Sequence, residues 1–262
     1  MTPDRIAAAF RTARLAAQSL ATYPGEQVPD TLAAAYAIQQ LAIADWPDRV
    51  VGWKVAAIQA NWHAQYPDER VAGPVFSKGL ASATEGVVEM PIIRGGYAAA
   101  EAEFALLLGA DFPVDTAFAS VEQLRPYVAA VHLAVELAGS PLPNLSALGP
   151  GAVISDFGNN LGLAIGPELK NFFDRTPAQW RVETRVNGMP AGEGSADRIP
   201  GGPLAALLFL ANRLVSRGGS LQPGAWVSTG ASTGVHPVAI CDQVEVSIDG
   251  KPAIALRIAE AA

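Results

Sequence analysis

The amino-acid sequence predicts an α+β protein in which an N-terminal helical arm precedes a mostly β domain. Apolar residues recur with a helical period before residue 48, whereas strand-like runs dominate from Val87 onward. Asn-Gly and Asp-Gly pairs, which favour tight hairpin turns, interrupt the second half of the chain. We therefore expect residues 1–48 to form the arm and residues 49–262 to form one catalytic β unit.

The composition excludes several classes of function. The chain has 262 residues, of which 50% are hydrophobic and 16% charged, so it can build a large core. A net charge of −7 argues against a nucleic-acid partner, which requires a basic surface. No apolar run reaches the ~18 residues of a membrane span, and no signal peptide is recognisable. Together with the single cysteine, Cys241, these features predict a cytoplasmic protein without a membrane partner.

Individual elements follow from periodicity and from turn residues. Two helices are expected between residues 3 and 47, divided at Pro24-Gly25, and a strand is expected over residues 49–57. Residues 59–79 have no clean period and contain prolines and glycines, which predicts a long loop that acts as a lid. A further helix is expected over Pro203–Arg217.

Two hairpins are predicted from their turn dipeptides. The strand Val182–Val186 precedes Asn187-Gly188, and the strand Val244–Ile248 precedes Asp249-Gly250. Both dipeptides suit type I′ turns, in which both central residues have positive φ angles.

Three glutamates interrupt apolar, strand-like segments. Glu101 and Glu103 lie two residues apart, so on a strand they share a face and are separated by roughly 6.6 Å along it. Glu136 interrupts a second apolar run. Converging carboxylates repel one another unless they are protonated or bridged by a cation, and oxygen ligands suit Mg²⁺ or Mn²⁺. The alternative is a barrel strand whose glutamates face outward to solvent.

Lys54 lies in the apolar strand of residues 49–57. A buried lysine has a lowered pKa and is a candidate proton shuttle or carboxylate anchor. The alternative is a lysine whose stem packs while its amine reaches water. Among the histidines, only His63 in the long loop is a candidate to activate water, whereas His132 shares a strand face with Glu136.

Two polar segments are candidates for binding a small acid. The cluster around Asp156 and Asn160 supplies short hydrogen-bonding side chains, although such residues also form ordinary turns. The segment that contains Ser228, Thr229 and Gly230 could hold a carboxylate with hydroxyl and backbone N–H groups, or it could be a plain glycine-rich loop.

The order of these motifs resembles a known family. The chain is similar to the 2-keto-4-pentenoate hydratase branch of the fumarylacetoacetate hydrolase superfamily, which includes 2-oxohept-3-ene-dioate hydratases and 4-oxalocrotonate decarboxylases. The matching segments, in chain order, are Ala35-Tyr36-Ala37-Ile38-Gln39, Gly52-Trp53-Lys54-Val55, Glu101-x-Glu103, Glu136, the loop from Asp156 to Asn160, Gly192-Glu193-Gly194-Ser195, Pro203-Leu204 and Ser228-Thr229-Gly230.

The resemblance implies a mixed β-roll like the C-terminal domain of fumarylacetoacetate hydrolase, a homo-oligomer and a site for Mg²⁺ or Mn²⁺. It assigns the metal to Glu101, Glu103 and Glu136, and catalysis to Lys54. Substrate contacts are assigned to Asp156, Asn160, Ser228 and Thr229. One departure is notable: many hydratases have Ser-Arg soon after the third glutamate, whereas this chain has Ser140-Pro141.

The implied function is that of a lyase in the catabolism of aromatic compounds. A metal-dependent hydratase would add water to a 2-hydroxy-2,4-dienoate or 2-oxo-3-enoate acid. The alternatives on the same scaffold are a decarboxylase or an acylpyruvate-type hydrolase of a related 2-oxo acid. A non-catalytic protein that binds small acids is the third possibility.

Overall fold

The arm consists of two helices, as predicted. The computed structural model describes residues 2–113 and 115–262, and its first helices are α1 (Pro3–Leu15) and α2 (Leu32–Ala44). The Thr31 side chain accepts a hydrogen bond from the Ala34 N–H and so caps the start of α2. Three further helices are α3 (Leu145–Leu148), α4 (Pro150–Ser155) and α5 (Pro203–Val215). None of the helices formed by the described residues is long and apolar enough to cross a membrane.

The β domain is built from two sheets. Its strands are β1 (Val50–Ala57), β2 (Arg70–Phe76), β3 (Leu80–Ser82), β4 (Val87–Ile92), β5 (Tyr97–Leu108), β6 (Val128–Ser140), β7 (Asn160–Glu168), β8 (Arg181–Val186), β9 (Met189–Ser195), β10 (Trp226–Ala231), β11 (His236–Pro237), β12 (Gln243–Ile248) and β13 (Lys251–Glu260). The first sheet has the order β2-β1-β10-β5-β6-β7-β3, and β11 adds to β5. The second has the order β4-β13-β12-β8-β9.

Both predicted hairpins are present in the second sheet. Asn187 and Gly188 have φ angles of 52° and 74°, and Asp249 and Gly250 have φ angles of 50° and 76°. These positive angles are those that a type I′ turn requires. The turns join β8 to β9 and β12 to β13 in antiparallel pairs.

The two faces of β5 and β6 have different environments. Phe104 and Leu106 on one face are fully buried in the main apolar core, together with Val244 and Leu256 of the second sheet. On the opposite face lies a small apolar cluster of five buried residues, which are Val75, Ala105, Ala134, Leu163 and Ile165. The glutamates occupy this second face, so the curled first sheet encloses them instead of exposing them to solvent.

The prediction of a loop over residues 59–79 is wrong in its second half. Residues 70–76 form β2, which pairs antiparallel with β1. Pro74 is tolerated because β2 is an edge strand of the first sheet. On its free edge β2 has no neighbouring strand, so the missing N–H of Pro74 costs no hydrogen bond there. In the first half, Tyr66 is buried and its hydroxyl donates to the Pro29 carbonyl at 2.6 Å, so this part is fixed to the arm.

Candidate metal and substrate site

Three glutamates meet on the enclosed face of the first sheet. The register of β5 and β6 places Glu101 directly opposite Glu136, and Glu103 lies two residues further along β5. One carboxylate oxygen from each residue lies within 4.8 Å of the others. Glu103 and Glu136 are fully buried and Glu101 is 6% exposed. The convergence predicted from the two-residue spacing is therefore present, and the outward-facing alternative is wrong.

Glu103 is fixed through only one of its oxygens. The Ser228 hydroxyl and the Gly230 N–H, the latter at 2.8 Å, both donate to Oε2. Among the described residues, none donates a hydrogen bond to the buried Oε1. A buried carboxylate oxygen without a donor is costly unless a cation binds it.

Glu136 is likewise held through only one of its two carboxylate oxygens. Its Oε1 accepts a hydrogen bond from the Asn160 side-chain amide at 3.0 Å and lies 3.4 Å from the Lys54 amine. Its Oε2 is buried and has no hydrogen-bond partner in the part of the chain that the structure describes. The free oxygens of Glu103 and Glu136, beside Glu101, therefore fit a divalent cation that prefers oxygen ligands.

Burial and mutual repulsion perturb the carboxyl groups of the ion-free cluster. The pKa of Glu101 is raised to about 7, chiefly by burial and then by the charge of Glu136, while Lys54 opposes the increase. Burial, followed by the charges of Glu136 and Glu101, raises the pKa of Glu103 well above its usual range, against the hydrogen bonds from Ser228 and Gly230. In the ion-free site, Glu101 and Glu103 therefore bind a proton more readily than an exposed glutamate does.

Lys54 is buried beside the glutamates. It lies on β1 opposite Ser228 of β10 and its side chain is 2% exposed, so the alternative in which the amine reaches water is wrong. Burial lowers the pKa of Lys54, but the charges of Glu136, Glu101 and Glu103 outweigh burial and raise it above its usual range. The expected decrease in the lysine pKa is therefore reversed in the ion-free protein.

The four residues predicted to contact substrate all have protein partners. Asn160 and Ser228 bind the glutamates, and the Thr229 hydroxyl donates to the Phe104 carbonyl at 2.6 Å. Asp156 is fully buried, and both its carboxylate oxygens accept hydrogen bonds from Arg14 at 2.5 and 3.0 Å. Asn160 and Ser228 therefore touch the cluster directly, whereas the contacts of Thr229 and Asp156 are to the Phe104 backbone and to Arg14.

Arg14 is the site residue that the motifs did not indicate. It lies on α1, four residues after the fully buried Phe10, and therefore on the helix face that packs against the domain. This four-residue spacing was the available signal for a buried arginine. Arg14 and Asp156 are 142 positions apart in sequence, so their contact could not be predicted from local spacing.

The two histidines considered from sequence make backbone contacts. His63 follows a short 3₁₀ turn, and its Nε2 lies 3.0 Å from the Ile58 carbonyl oxygen. The His132 Nδ1 lies 2.9 Å from the Gly166 carbonyl oxygen, and its ring packs edge-on against Trp226. Neither contact places an imidazole on the carboxylate cluster.

Comparison with known proteins gives two curated relatives that span most of the chain. The TodF product hydratase of Pseudomonas putida is 26% identical over 237 residues, which cover 88% of this chain and 85% of the relative. The 2-keto-4-pentenoate hydratase 1 of Dechloromonas aromatica is 28% identical over 225 residues, which cover 82% of this chain and 81% of the relative. No family model matches the chain.

The fold has a solved counterpart. The 4-oxalocrotonate decarboxylase from Pseudomonas putida G7, solved with magnesium and adipate, superposes with a TM-score of 0.80 and 20% identity. The superposition covers 98% of this chain and 97% of the decarboxylase, which confirms the predicted fold. The predicted resemblance to hydratases and to 4-oxalocrotonate decarboxylases is confirmed. Both curated relatives are hydratases, the class of enzyme that the sequence predicts.

Proposed function

We propose that this protein is a divalent-metal-dependent hydratase, which adds water to a 2-hydroxy-2,4-dienoate or 2-oxo-3-enoate acid. The observation that carries the proposal is the buried cluster of three glutamates beside a buried lysine, in which two carboxylate oxygens have no hydrogen-bond partner among the described residues. The hydratase relatives support the choice of reaction.

Glu101, Glu103 and Glu136 would hold the cation, and Mg²⁺ or Mn²⁺ is the ion that an all-oxygen site suits. When bound, such an ion acts as a Lewis acid that withdraws electron density from the carboxylate and 2-oxo oxygens of a 2-oxo acid. Ser228 and the Gly230 N–H keep Glu103 oriented, and Asn160 keeps Glu136 oriented. Such supporting contacts are typical of metal sites.

Lys54 is proposed to carry a proton to or from the substrate. Its amine lies within the site and is shielded from bulk water, so a proton on Nζ is delivered to bound substrate and not to solvent. Thr229 remains the proposed contact for the substrate carboxylate because it stands between Ser228 and Gly230, which bind Glu103. Asp156 supports this pocket through Arg14 and does not face substrate with a free oxygen.

The test is turnover of a 2-hydroxy-2,4-dienoate by chelator-treated protein to which Mg²⁺ or Mn²⁺ is returned. Hydration predicts metal-dependent loss of the dienoate ultraviolet absorbance without release of CO₂. The Glu103→Gln variant should lose this activity, whereas Glu89→Gln, which alters an exposed glutamate on β4, should retain it. Release of CO₂ would assign the alternative, a decarboxylase, and metal binding without turnover of any 2-oxo acid would favour a non-catalytic binding protein.

The homo-oligomer and the cytoplasmic location stay predictions. Light scattering coupled to gel filtration measures the mass of the assembly directly. A mass near 27.2 kDa, which is that of one chain, would contradict the predicted oligomer.

A further inference from the structure

The Arg14 guanidinium joins three parts of the fold next to the glutamate cluster. In addition to its two bonds to the Asp156 carboxylate, it donates to the carbonyl oxygens of Asp156 at 3.2 Å, Asn160 at 2.7 Å and Gly139 at 2.9 Å. Its side chain is only 5% exposed. One residue of the arm thus binds the C-terminal part of β6 and both ends of the loop that precedes β7.

This loop has an unusual backbone. Phe157, Gly158 and Asn159 have consecutive φ angles of 53°, 64° and 57°. Left-handed conformations are unfavourable for residues other than glycine, and they persist only where the surrounding structure imposes them. The next residue is Asn160, whose side chain donates to Glu136. The strained segment therefore determines where the Asn160 amide points.

The arm also holds the middle of this loop. The Phe157 ring packs edge-on against Trp46, which follows α2, with ring centroids 5.1 Å apart. The Arg14 guanidinium lies 5.3 Å from the centroid of the same ring. On the other side, β2 approaches so closely that a Cβ on Gly73 would lie 2.7 Å from the Gly158 Cα.

We infer that Arg14 is a positioning residue for the metal site. It holds the loop from Asp156 to Asn160 so that the Asn160 amide occupies Oε1 of Glu136 and leaves Oε2 free for the cation. The arm is therefore part of the functional site, and its arginine also reaches the Gly139 carbonyl near the end of β6. This inference rests on the proposed metal site.

The direct test is the affinity of chelator-treated protein for Mn²⁺, measured by calorimetry or electron paramagnetic resonance. Arg14→Ala should weaken binding by roughly 10–100-fold, as is usual when an outer contact of a metal ligand is lost. Arg14→Lys keeps the charge but not the planar set of donors, so it should restore only part of the affinity. Arg11→Ala is the matched control, because Arg11 lies on the same helix and pairs at 2.5 Å with Asp45, which is 67% exposed. Its affinity should equal that of the wild type.

A double-mutant cycle distinguishes positioning from general support of the fold. Asn160→Ala should weaken Mn²⁺ binding on its own, and adding Arg14→Ala should then cost little more, because both changes remove the same constraint on Glu136. A lower melting temperature for Arg14→Ala with unchanged Mn²⁺ affinity would overturn the inference. Fully additive losses of affinity would also overturn it.

Failure of Arg14→Ala to fold and failure of the wild-type protein to bind metal are distinguished as follows. If Arg14→Ala leaves Asp156 unpaired and the protein does not fold, the variant Arg14→Met/Asp156→Asn removes both charges and is measured in its place. Wild-type affinity in this variant would overturn the inference. If the wild-type protein binds no Mn²⁺ or Mg²⁺, the proposed function itself fails, and the inference fails with it.

Discussion

Replacing Glu101 by glutamine should stabilise the ion-free protein, and by an amount that depends on pH. Burial raises the pKa of Glu101 from 4.5 to about 7, so the folded protein binds this proton more tightly than the unfolded chain. The wild-type protein has this contribution to its stability in full below pH 4.5 and loses it as the pH rises through about 7, whereas the neutral glutamine of the variant does not titrate. At about 1.4 kcal/mol per pH unit, the difference corresponds to about 3 kcal/mol.

The measurement is urea unfolding of both proteins at several pH values in the presence of a chelator. The free energy of unfolding of Glu101→Gln minus that of the wild type should rise by about 3 kcal/mol between pH 4.5 and pH 8. Glu89→Gln, at an exposed position, should show no such trend. A difference that is constant across this range would refute the assignment of Glu101 to a cluster of mutually repelling carboxylates.

Saturating Mg²⁺ should reverse the order of stability, so that the wild type becomes more stable than Glu101→Gln, because the ion binds the carboxylate of the wild type.

Three other predictions follow from named contacts. Lys54→Ala should lower kcat by about 10²–10⁴-fold while Mn²⁺ affinity persists, and wild-type kinetics would refute its role in proton transfer. Gly73→Ala should lower the melting temperature and the Mn²⁺ affinity, because the added Cβ would collide with Gly158. Unchanged values for both would contradict the tight packing of β2 against the loop from Asp156 to Asn160. His63→Ala should leave hydration unchanged, and selective loss of C–C bond cleavage in an assay with an acylpyruvate would favour a hydrolase.

The carboxylate cluster could be predicted because it depends on local rules. Alternation along a strand places Glu101 and Glu103 on one face whatever the rest of the fold does. Glutamates in apolar runs need a partner, and a cation is the partner that serves several at once. The hairpin turns at Asn187 and Asp249 were predictable for the same reason, since positive φ angles select those residues.

The missed features depend on contacts between segments distant in sequence. Pro74 argues against a strand unless the strand lies at the edge of its sheet, and the sheet order is a tertiary property. The expected decrease in the Lys54 pKa considered burial alone. Its direction is reversed because three carboxylates surround the amine once the strands are assembled.

The sequence by itself determined the α+β class, the helical arm, the chemistry of the three glutamates and the resemblance to the hydratase branch. These depend on residue type, periodicity and short spacings, which act along the chain. Only the tertiary structure decided that Glu136 lies opposite Glu101, that Asn160 and Ser228 bind the glutamates, and that Arg14 holds the loop at Asp156. Each of these is a contact between elements whose separation in sequence carries no information about their separation in space.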